Sequence, residues 1–240
     1  MGVRLTVVGC SPAWPNPGGA QSGYLIEGAG RLLVDCGPGV LSRLRAREGW
    51  PRLDGIVISH FHLDHWGDLV PWAWGTIYGA GGATPELWVP PGGVERLAEL
   101  GAEVGTATLF ADVFPLREYP AAERFAPAGY DVTPFAVPHY DIPTFALRIE
   151  CDGRALAYSA DSAPTPQLAR AAAAADLFLC EATLATGELD PEPRGHLSAD
   201  EAATAAREAG ARRLLLTHRP VELPLPEGLE QARDGLELDV

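Results

Sequence analysis

The sequence lacks one basic residue type altogether and is poor in another. It contains no lysine and only six histidines among 240 residues. Its 18 basic residues are all arginine, and 32 acidic residues outnumber them, so the formal net charge is −14. A surface this acidic repels phosphate backbones at long range and disfavours extended nucleic-acid binding. A small anion at a metal centre is not excluded, because a bound cation dominates its local field.

Long apolar runs and paired cysteines are also missing. No stretch approaches the roughly 20 apolar residues of a membrane span. The N-terminal MGVRLTVVGC has no cleavage-site pattern after it, so it indicates a first strand and not a signal peptide. The cysteines at Cys10, Cys36, Cys151 and Cys180 show no CxxC spacing. This pattern favours reduced thiols and a cytoplasmic location.

Short apolar runs bounded by Gly, Pro and Asp predict strands, and helical periodicity predicts helices between them. The strands are predicted at residues 3–8, 23–27, 31–35, 55–59, 87–89, 113–118, 130–137, 144–149, 154–159, 176–180 and 212–217. The helices are predicted at residues 38–47, 66–79, 93–104, 165–174 and 198–209. The order of predicted strands and helices in the first half of the chain recurs in the second half. It predicts an α/β protein with two sheets packed face to face, a four-layer αββα sandwich formed by residues 1–240 as a single domain.

Two segments carry weaker signals. The glycine-rich stretch after Tyr78 is predicted to be a loop within this domain. The tail from Val221 to Val240 is acidic, and we expect it to pack loosely or to pair with a second subunit.

The few histidines are concentrated. The stretch ISHFHLDHWGD, residues 58–68, holds three of the six around an aspartate and follows a predicted buried strand. His60 and His62 are two residues apart and can converge on one metal ion, while the adjacent Asp64 and His65 can serve a second. Imidazole and carboxylate ligands suit zinc, and also manganese or iron.

A local cluster cannot complete two coordination shells, so further ligands must come from elsewhere in the chain. His139, Asp161 and His218 each stand at the end of a predicted strand. Strand ends of one sheet layer lie along one edge, and we therefore expect these residues to meet the local cluster there. His139 taken alone is more simply an ordinary core or surface histidine. The three strand ends taken together with the local cluster favour a metal site.

These residues resemble the ligands of the metallo-β-lactamase fold superfamily of binuclear hydrolases, and the resemblance covers nearly the whole chain. Four segments resemble its ribonuclease Z-like branch. They are the first loop, VVGCSPAWPNPGGAQSGYLIEG, DCGPG at 35–39, CEAT at 180–183 and GHLSADEAATAA at 195–206. HxHxDH alone would indicate only the superfamily, whereas many other branches lack the motif around His196.

The resemblance implies a role for each site residue. His60, His62 and His139 would hold the first metal ion, Asp64, His65 and His218 the second, and Asp161 would bridge both. Asp35 would accept a hydrogen bond from a metal-bound imidazole; a simple turn carboxylate before Gly37 is the alternative. Glu181 would support a ligand or order the loop that carries His196. The cofactors would be two divalent ions, zinc or else manganese or iron.

His196 is the one histidine without a metal to bind, and it is predicted to be catalytic together with the ligand Asp64. Ser198 and Glu201 form a capping-box pattern that opens a helix. His196 thus precedes a helix N-terminus, where an anion is favoured. It would give a proton to the leaving alkoxide or a hydrogen bond to a phosphate oxygen. The alternative is a solvent-exposed loop histidine.

Substrate contacts are predicted at Ser198, Tyr140 and Trp66. Ser198 opens the helix after His196, and Tyr140 directly follows His139. Trp66 begins a series of aromatic residues, with Trp72, Trp74 and Tyr78, whose helical spacing is more typical of a core. If one or two of these rings face the cleft, they would stack on a base or an aromatic leaving group.

The implied activity is hydrolysis of a small phosphodiester, such as a cyclic nucleotide, by a hydroxide that bridges the two ions. The alternatives are a tRNA 3′-processing endonuclease, a lactonase, sulfatase or thioesterase with the same metal site, and a non-catalytic metal-binding protein. Ribonuclease Z proteins typically carry a long arm between the third histidine motif and the bridging aspartate. Here only 22 positions separate His139 from Asp161 (161 − 139).

A missing arm and a net charge of −14 together remove the affinity that a long RNA requires. Some compact hydrolases that resemble ribonuclease Z without its arm are regarded as cyclic-nucleotide phosphodiesterases, and related proteins often dimerise. We therefore expect a homodimer that acts on a small-molecule phosphodiester and contacts neither membrane nor extended nucleic acid.

Overall fold

Two sheets and six α-helices make up the computed structural model, which describes residues 2–79, 82, 84–190 and 192–240. The strands are β1 (Arg4–Gly9), β2 (Gly23–Glu27), β3 (Arg31–Val34), β4 (Gly55–Val57), β5 (Glu86–Val89), β6 (Leu116–Glu118), β7 (Asp131–Val137), β8 (Thr144–Cys151), β9 (Arg154–Tyr158), β10 (Leu177–Glu181), β11 (Leu214–Thr217), β12 (Glu230–Gln231) and β13 (Glu237–Asp239). The helices are α1 (Val40–Glu48), α2 (Leu63–Trp66), α3 (Leu69–Tyr78), α4 (Gly93–Glu103), α5 (Pro166–Ala171) and α6 (Ala199–Ala209).

Strand order determines where the loops emerge. The first sheet has the order β13-β1-β2-β3-β4-β5-β6, and the second has the order β12-β11-β10-β9-β8-β7. Strands β3 to β6 run parallel to one another, as do β9 to β12. Parallel neighbours have their carboxyl ends at the same edge of the sheet. The loops after β3 and β4 therefore open together, as do those after β9, β10 and β11.

Side chains alternate between two packed layers along each strand. In β3, Leu32 and Val34 face the core between the sheets, and Leu33 faces the helices outside the first sheet. In β9, Leu156 faces the core between the sheets, and Ala157 faces the helices outside the second sheet. Three separate buried clusters result from this period of two. They confirm the predicted four-layer αββα arrangement.

The outer helices differ in how they bury their apolar face. Trp72 of α3 is fully buried against the first sheet, which confirms a core role for this aromatic residue. Helix α6 packs through small residues such as Ala202, which let it lie close to the second sheet. Ser198 caps α6, and the predicted capping box with Glu201 is present in both directions.

The helix predicted over 66–79 is present as α3 (Leu69–Tyr78), and Trp66 instead ends the short helix α2. At the junction, the Asp68 backbone N–H donates to the Cys36 carbonyl and the Asp68 carboxylate accepts from the Leu41 N–H. One prediction about local structure is wrong. The tail does not pack loosely: β12 adds an edge strand to one sheet and β13 to the other. The glycine-rich loop predicted after Tyr78 lies partly outside the described residues.

Within the described part of the chain, none of the helices has the length and hydropathy that crossing a bilayer requires.

Candidate metal centre

Loops at the carboxyl ends of strands from both sheets carry the clustered residues. His60 follows β4, and the next turn leads into α2, where His62 is the N-cap and Asp64 and His65 lie in the first turn. The second sheet contributes its own residues after β7, β9 and β11. These are His139, Asp161 and His218. Facing strand ends thus bring together residues that lie far apart in the sequence.

One group, called here the first group, consists of His60, His62, His139 and Asp161. Nδ1 of His62 lies 3.2 Å from Nε2 of His60 and 2.8 Å from Nε2 of His139. The Asp161 carboxylate oxygen Oδ2 is 3.8 Å from His60 Nε2 and 3.7 Å from His139 Nε2. One ligand atom from each residue lies within 4.8 Å of the others, a spacing that can hold a single ion.

The second group consists of Asp64, His65, Asp161 and His218, all of them buried. Nε2 of His65 is 3.3 Å from Asp64 Oδ2 and 3.4 Å from Asp161 Oδ2. Nε2 of His218 is 2.9 Å from Asp64 Oδ2 and 3.6 Å from Asp161 Oδ2. All seven predicted ligands are therefore brought together in the two predicted groups, with Asp161 common to both.

The buried atoms of this cluster fit a pair of divalent cations. His65 Nε2 and Asp161 Oδ1 are buried and form no hydrogen bond with any described residue. Such orphaned polar atoms are costly, and both are of types that bind divalent metals. Four carboxylates are also buried here, those of Asp35, Asp64, Asp161 and Glu181. A bound cation would offset this concentration of negative charge.

The two groups differ in electrostatics. Burial lowers the pKa of His60, lowers that of His62 to about 4, and also lowers that of His139. These imidazoles are therefore neutral near pH 7, which is the form that binds a metal ion. Burial also acts to lower the pKa of His65, but the charges of Asp161, Asp64 and Asp35 outweigh it and raise the pKa.

Asp35 supports His65 in the way that its predicted role requires. It follows β3 with a φ of 59°, in the left-handed region. Its Oδ2 accepts a hydrogen bond from His65 Nδ1 at 2.7 Å and from the Tyr158 hydroxyl at 2.8 Å. It also accepts from the backbone N–H and the hydroxyl of Ser59. This contact leaves Nε2 of His65 to face the second group.

Other imidazoles are oriented by residues that the sequence did not single out. His139 Nδ1 donates to the Gly195 carbonyl at 2.6 Å, and His60 Nδ1 lies 3.1 Å from the Ser59 hydroxyl. His218 Nδ1 lies 2.8 Å from the Thr183 hydroxyl, which also donates to Glu181. Thr183 ends the CEAT motif, so the motif contained a signal for it. Gly195 begins the GHLSADEAATAA segment, but the sequence does not show that its carbonyl faces His139.

His196 is held beside the second group by Glu181. Its Nδ1 donates to Glu181 Oε1 at 3.0 Å, and its ring stacks on that of His218 with centroids 5.7 Å apart. Burial acts to lower its pKa, but the charge of Glu181, their hydrogen bond and the charge of Asp161 raise the pKa to about 9. Its backbone N–H donates to Asp190, another residue that the sequence did not reveal. No described residue forms a hydrogen bond with its Nε2.

The three predicted substrate contacts have different surroundings. Tyr140 lies at the centre, with its ring 4.9 Å from that of His139 and its hydroxyl donating to Asp190 at 2.9 Å. The Ser198 hydroxyl serves the cap of α6. Trp66 is 6% exposed and packs in the core against Phe110. Of the three, Tyr140 is the residue that the structure places beside the histidine cluster, and it is half-buried there.

The fold and the clustered ligands define a metallo-hydrolase. The sequence model of the Beta-lactamase superfamily domain matches residues 30–219, and the chain belongs to this superfamily. It is 32% identical over 224 residues to the probable metallo-hydrolase YhfI of Bacillus subtilis strain 168, covering 91% of this chain and 87% of that relative. The crystal structure of YhfI has a TM-score of 0.85 at 26% identity and covers 99% of this chain and 100% of its own.

Two further proteins are similar. Ribonuclease Z of Mycobacterium bovis is 30% identical over 240 residues, covering 90% of this chain and 85% of that enzyme. The crystal structure of a diphosphatase of the PhnP family has a TM-score of 0.77 at 20% identity, covers 99% of this chain and 98% of its own, and shares the fold.

Proposed function

We propose that this metallo-hydrolase is a phosphodiesterase that cleaves a small phosphodiester, such as a cyclic nucleotide. The observation that carries the proposal is the Glu181–His196 pair beside the second group, with His196 Nδ1 held at 3.0 Å and Nε2 free. The alkoxide that leaves a phosphodiester needs a proton. A carboxylate-supported imidazolium next to the metal ligands is suited to supply it.

Two divalent cations, zinc or else manganese or iron, would supply Lewis acidity and lower the pKa of a water molecule when bound. Asp161 belongs to both ligand groups and sets their separation. Glu181 holds His196 Nδ1 so that only Nε2 is left to face the leaving oxygen. Glu181 is itself fixed by the backbone N–H groups of Ser162 and Thr183, both at 3.0 Å. The proton donor is thus positioned before substrate binds.

The short segment between His139 and Asp161 favours a small substrate over an RNA. The interval between His139 and Asp161 is filled by the hairpin of β8 and β9, which pair from Leu147↔Tyr158 to Cys151↔Arg154. An inserted arm that could hold RNA has no place in this interval. The acidic charge acts in the same direction.

Similarity to ribonuclease Z favours tRNA 3′-processing as a second candidate activity, because both substrates are phosphodiesters and the chains are 30% identical. The homodimer and the cytoplasmic location stay predictions from the sequence.

A turnover panel tests the proposal. Purified protein with zinc, manganese or magnesium added would be offered cyclic AMP, cyclic GMP, bis(p-nitrophenyl) phosphate, a precursor tRNA and a lactone. We expect hydrolysis of the small diesters. The Asp161→Ala variant, which lacks the ligand common to both groups, serves as the control for contaminating activity. Cleavage of the tRNA alone, or of the lactone alone, would refute the proposal.

A further inference from the structure

A cavity of ≈ 280 Å³ opens between loops that also carry metal ligands. Its walls are almost entirely apolar, and one cationic side chain completes them. The residues that matter are Phe61, Pro90, Pro91, Arg96, Ile142 and Pro143. The ligand groups and the His196 loop described above do not use this cavity.

The cavity is continuous with the first group through the backbone. Phe61 stands between His60 and His62 in the chain. Ile142 belongs to the turn after His139, and its N–H donates to the His139 carbonyl at 3.1 Å. Pro90 and Pro91 form a further wall. They follow β5, which pairs with β4, the strand that leads to His60. The loops that carry His60, His62 and His139 thus also form walls of the cavity, which places it beside the first group.

Three prolines, Pro90, Pro91 and Pro143, restrict the conformations of the cavity walls, because each has a fixed φ angle. Gly93 lies so close to the Phe61 ring that a Cβ there would be 2.8 Å from a ring carbon. A preformed cavity loses little entropy on binding. Its volume lies just below the range of about 300–1,000 Å³ for pockets that enclose whole small ligands, so it suits a single ring system.

Among the described residues that line the cavity, Arg96 is the one with a charged side chain. It is 56% exposed and pairs with Glu99 at 3.4 Å. An exposed pair of this kind stabilises little, so the guanidinium can turn to a ligand at small cost. A guanidinium stacks on flat π-systems and donates hydrogen bonds to ring acceptors, whereas an aliphatic group would use neither property.

We propose that this cavity binds a flat ring, an aryl group or a nucleobase, carried by the ester substituent that stays on phosphorus during hydrolysis. Phe61 and the prolines would pack against the faces of the ligand's ring. Arg96 would donate a hydrogen bond to the edge of that ring or stack on it. The proposal rests on the phosphodiesterase function proposed above, and it names Ile142 and Arg96 as residues that determine specificity.

Three p-nitrophenyl phosphodiesters with the same leaving group test it: the methyl, phenyl and thymidine 5′ esters. We expect kcat/KM of the wild type to be at least about tenfold higher for the ring-bearing esters than for the methyl ester. In Ile142→Trp, which fills the cavity, the ratio of phenyl to methyl should fall to near one. Val104→Trp adds the same ring at the exposed residue that follows α4, outside the cavity, and should keep the wild-type ratio.

Arg96→Gln distinguishes the two sources of the ring. A loss confined to the thymidine ester assigns a nucleobase, and an equal loss for both ring-bearing esters assigns an aryl group. Calorimetric binding of phenyl phosphate and methyl phosphate repeats the comparison without turnover. A ring preference that persists in Ile142→Trp, or that is absent from the wild type, overturns the inference. Failure of all three esters with every metal would instead overturn the proposed function.

Discussion

The two ligand groups of the centre share Asp161 but are supported in different ways. In the first group, the Nδ1 atoms of His60 and His139 contact neutral partners, the Ser59 hydroxyl and the Gly195 carbonyl. In the second group, His65 Nδ1 donates a hydrogen bond to the buried carboxylate of Asp35. The first group thus presents neutral imidazoles, while the second gathers charge that must be balanced. Damage to the supporting residues should therefore affect the second group more than the first.

The largest effect is expected from Asp161→Ala, because this residue is the one ligand common to both groups. Both ions should be lost together, and hydrolysis should fall below detection. Elemental analysis of the purified variant after metal loading measures the number of ions per chain. Asp161→Asn keeps the shape without the charge and should retain part of the metal. Two full equivalents in the alanine variant would contradict a shared ligand.

His196→Ala tests a residue that belongs to neither group. Metal content should stay at the wild-type level, and kcat should fall by about 10² to 10⁴, the range for loss of a general acid. Glu181→Gln should lower kcat less, since the imidazole remains but loses its anionic partner. If metal disappears from the alanine variant, His196 is a ligand and its assignment as proton donor is wrong.

Asp35→Asn tests the dependence of the second group on charge. Asparagine tolerates the left-handed φ of 59° found here, so the backbone is not disturbed. Its amide cannot accept all the hydrogen bonds that the carboxylate receives from Ser59, His65 and Tyr158. Metal affinity of the second group should fall about 10- to 100-fold, the usual range for such supporting residues.

Dialysis against graded chelator, followed by elemental analysis, would show one ion lost before the other. Loss of both ions in parallel would mean that the two groups do not differ in their dependence on Asp35. The melting temperature of the metal-free variant is the control for a general loss of stability.

Sequence patterns predicted the parts of the centre that local chemistry determines. His139, Asp161 and His218 were found because an apolar run ends where a polar residue begins, and this change marks a strand end. The tail strands carry a weaker signal. β12 consists of two polar residues, 230–231. Around β13, Leu236, Leu238 and Val240 alternate with polar residues and pack against the core between the sheets, but the alternation is too short to mark a strand by itself.

Backbone conformation at the site was equally hidden. Asp35, Tyr140, Ala160 and His218 all have positive φ, and three of them follow directly after strands or precede a ligand. L-residues rarely adopt this region without tertiary contacts that compensate the strain. An alanine such as Ala160 carries no sequence signal for it. The contacts that stabilise these conformations come from residues distant in the sequence, so a local pattern does not predict them.

Thr183→Val should have the smallest effect, and it sharpens the comparison within the second group. Valine keeps the shape of threonine and removes only the hydroxyl that lies 2.8 Å from His218 Nδ1 and donates to Glu181 at 2.9 Å. His218 keeps Asp64 as a neighbour of Nε2, so we expect metal affinity of the second group to fall by about tenfold, the lower limit for such contacts. Turnover should fall as well, because the same hydroxyl steadies the carboxylate that holds His196.

Thr183→Ser restores the hydroxyl and should recover both properties. The chelator titration used for Asp35→Asn measures the first, and kcat at saturating metal measures the second. If Thr183→Val weakens metal binding as much as Asp35→Asn does, a neutral hydroxyl supports its imidazole as well as a buried carboxylate. The contrast drawn between the two groups would then arise from geometry and not from charge.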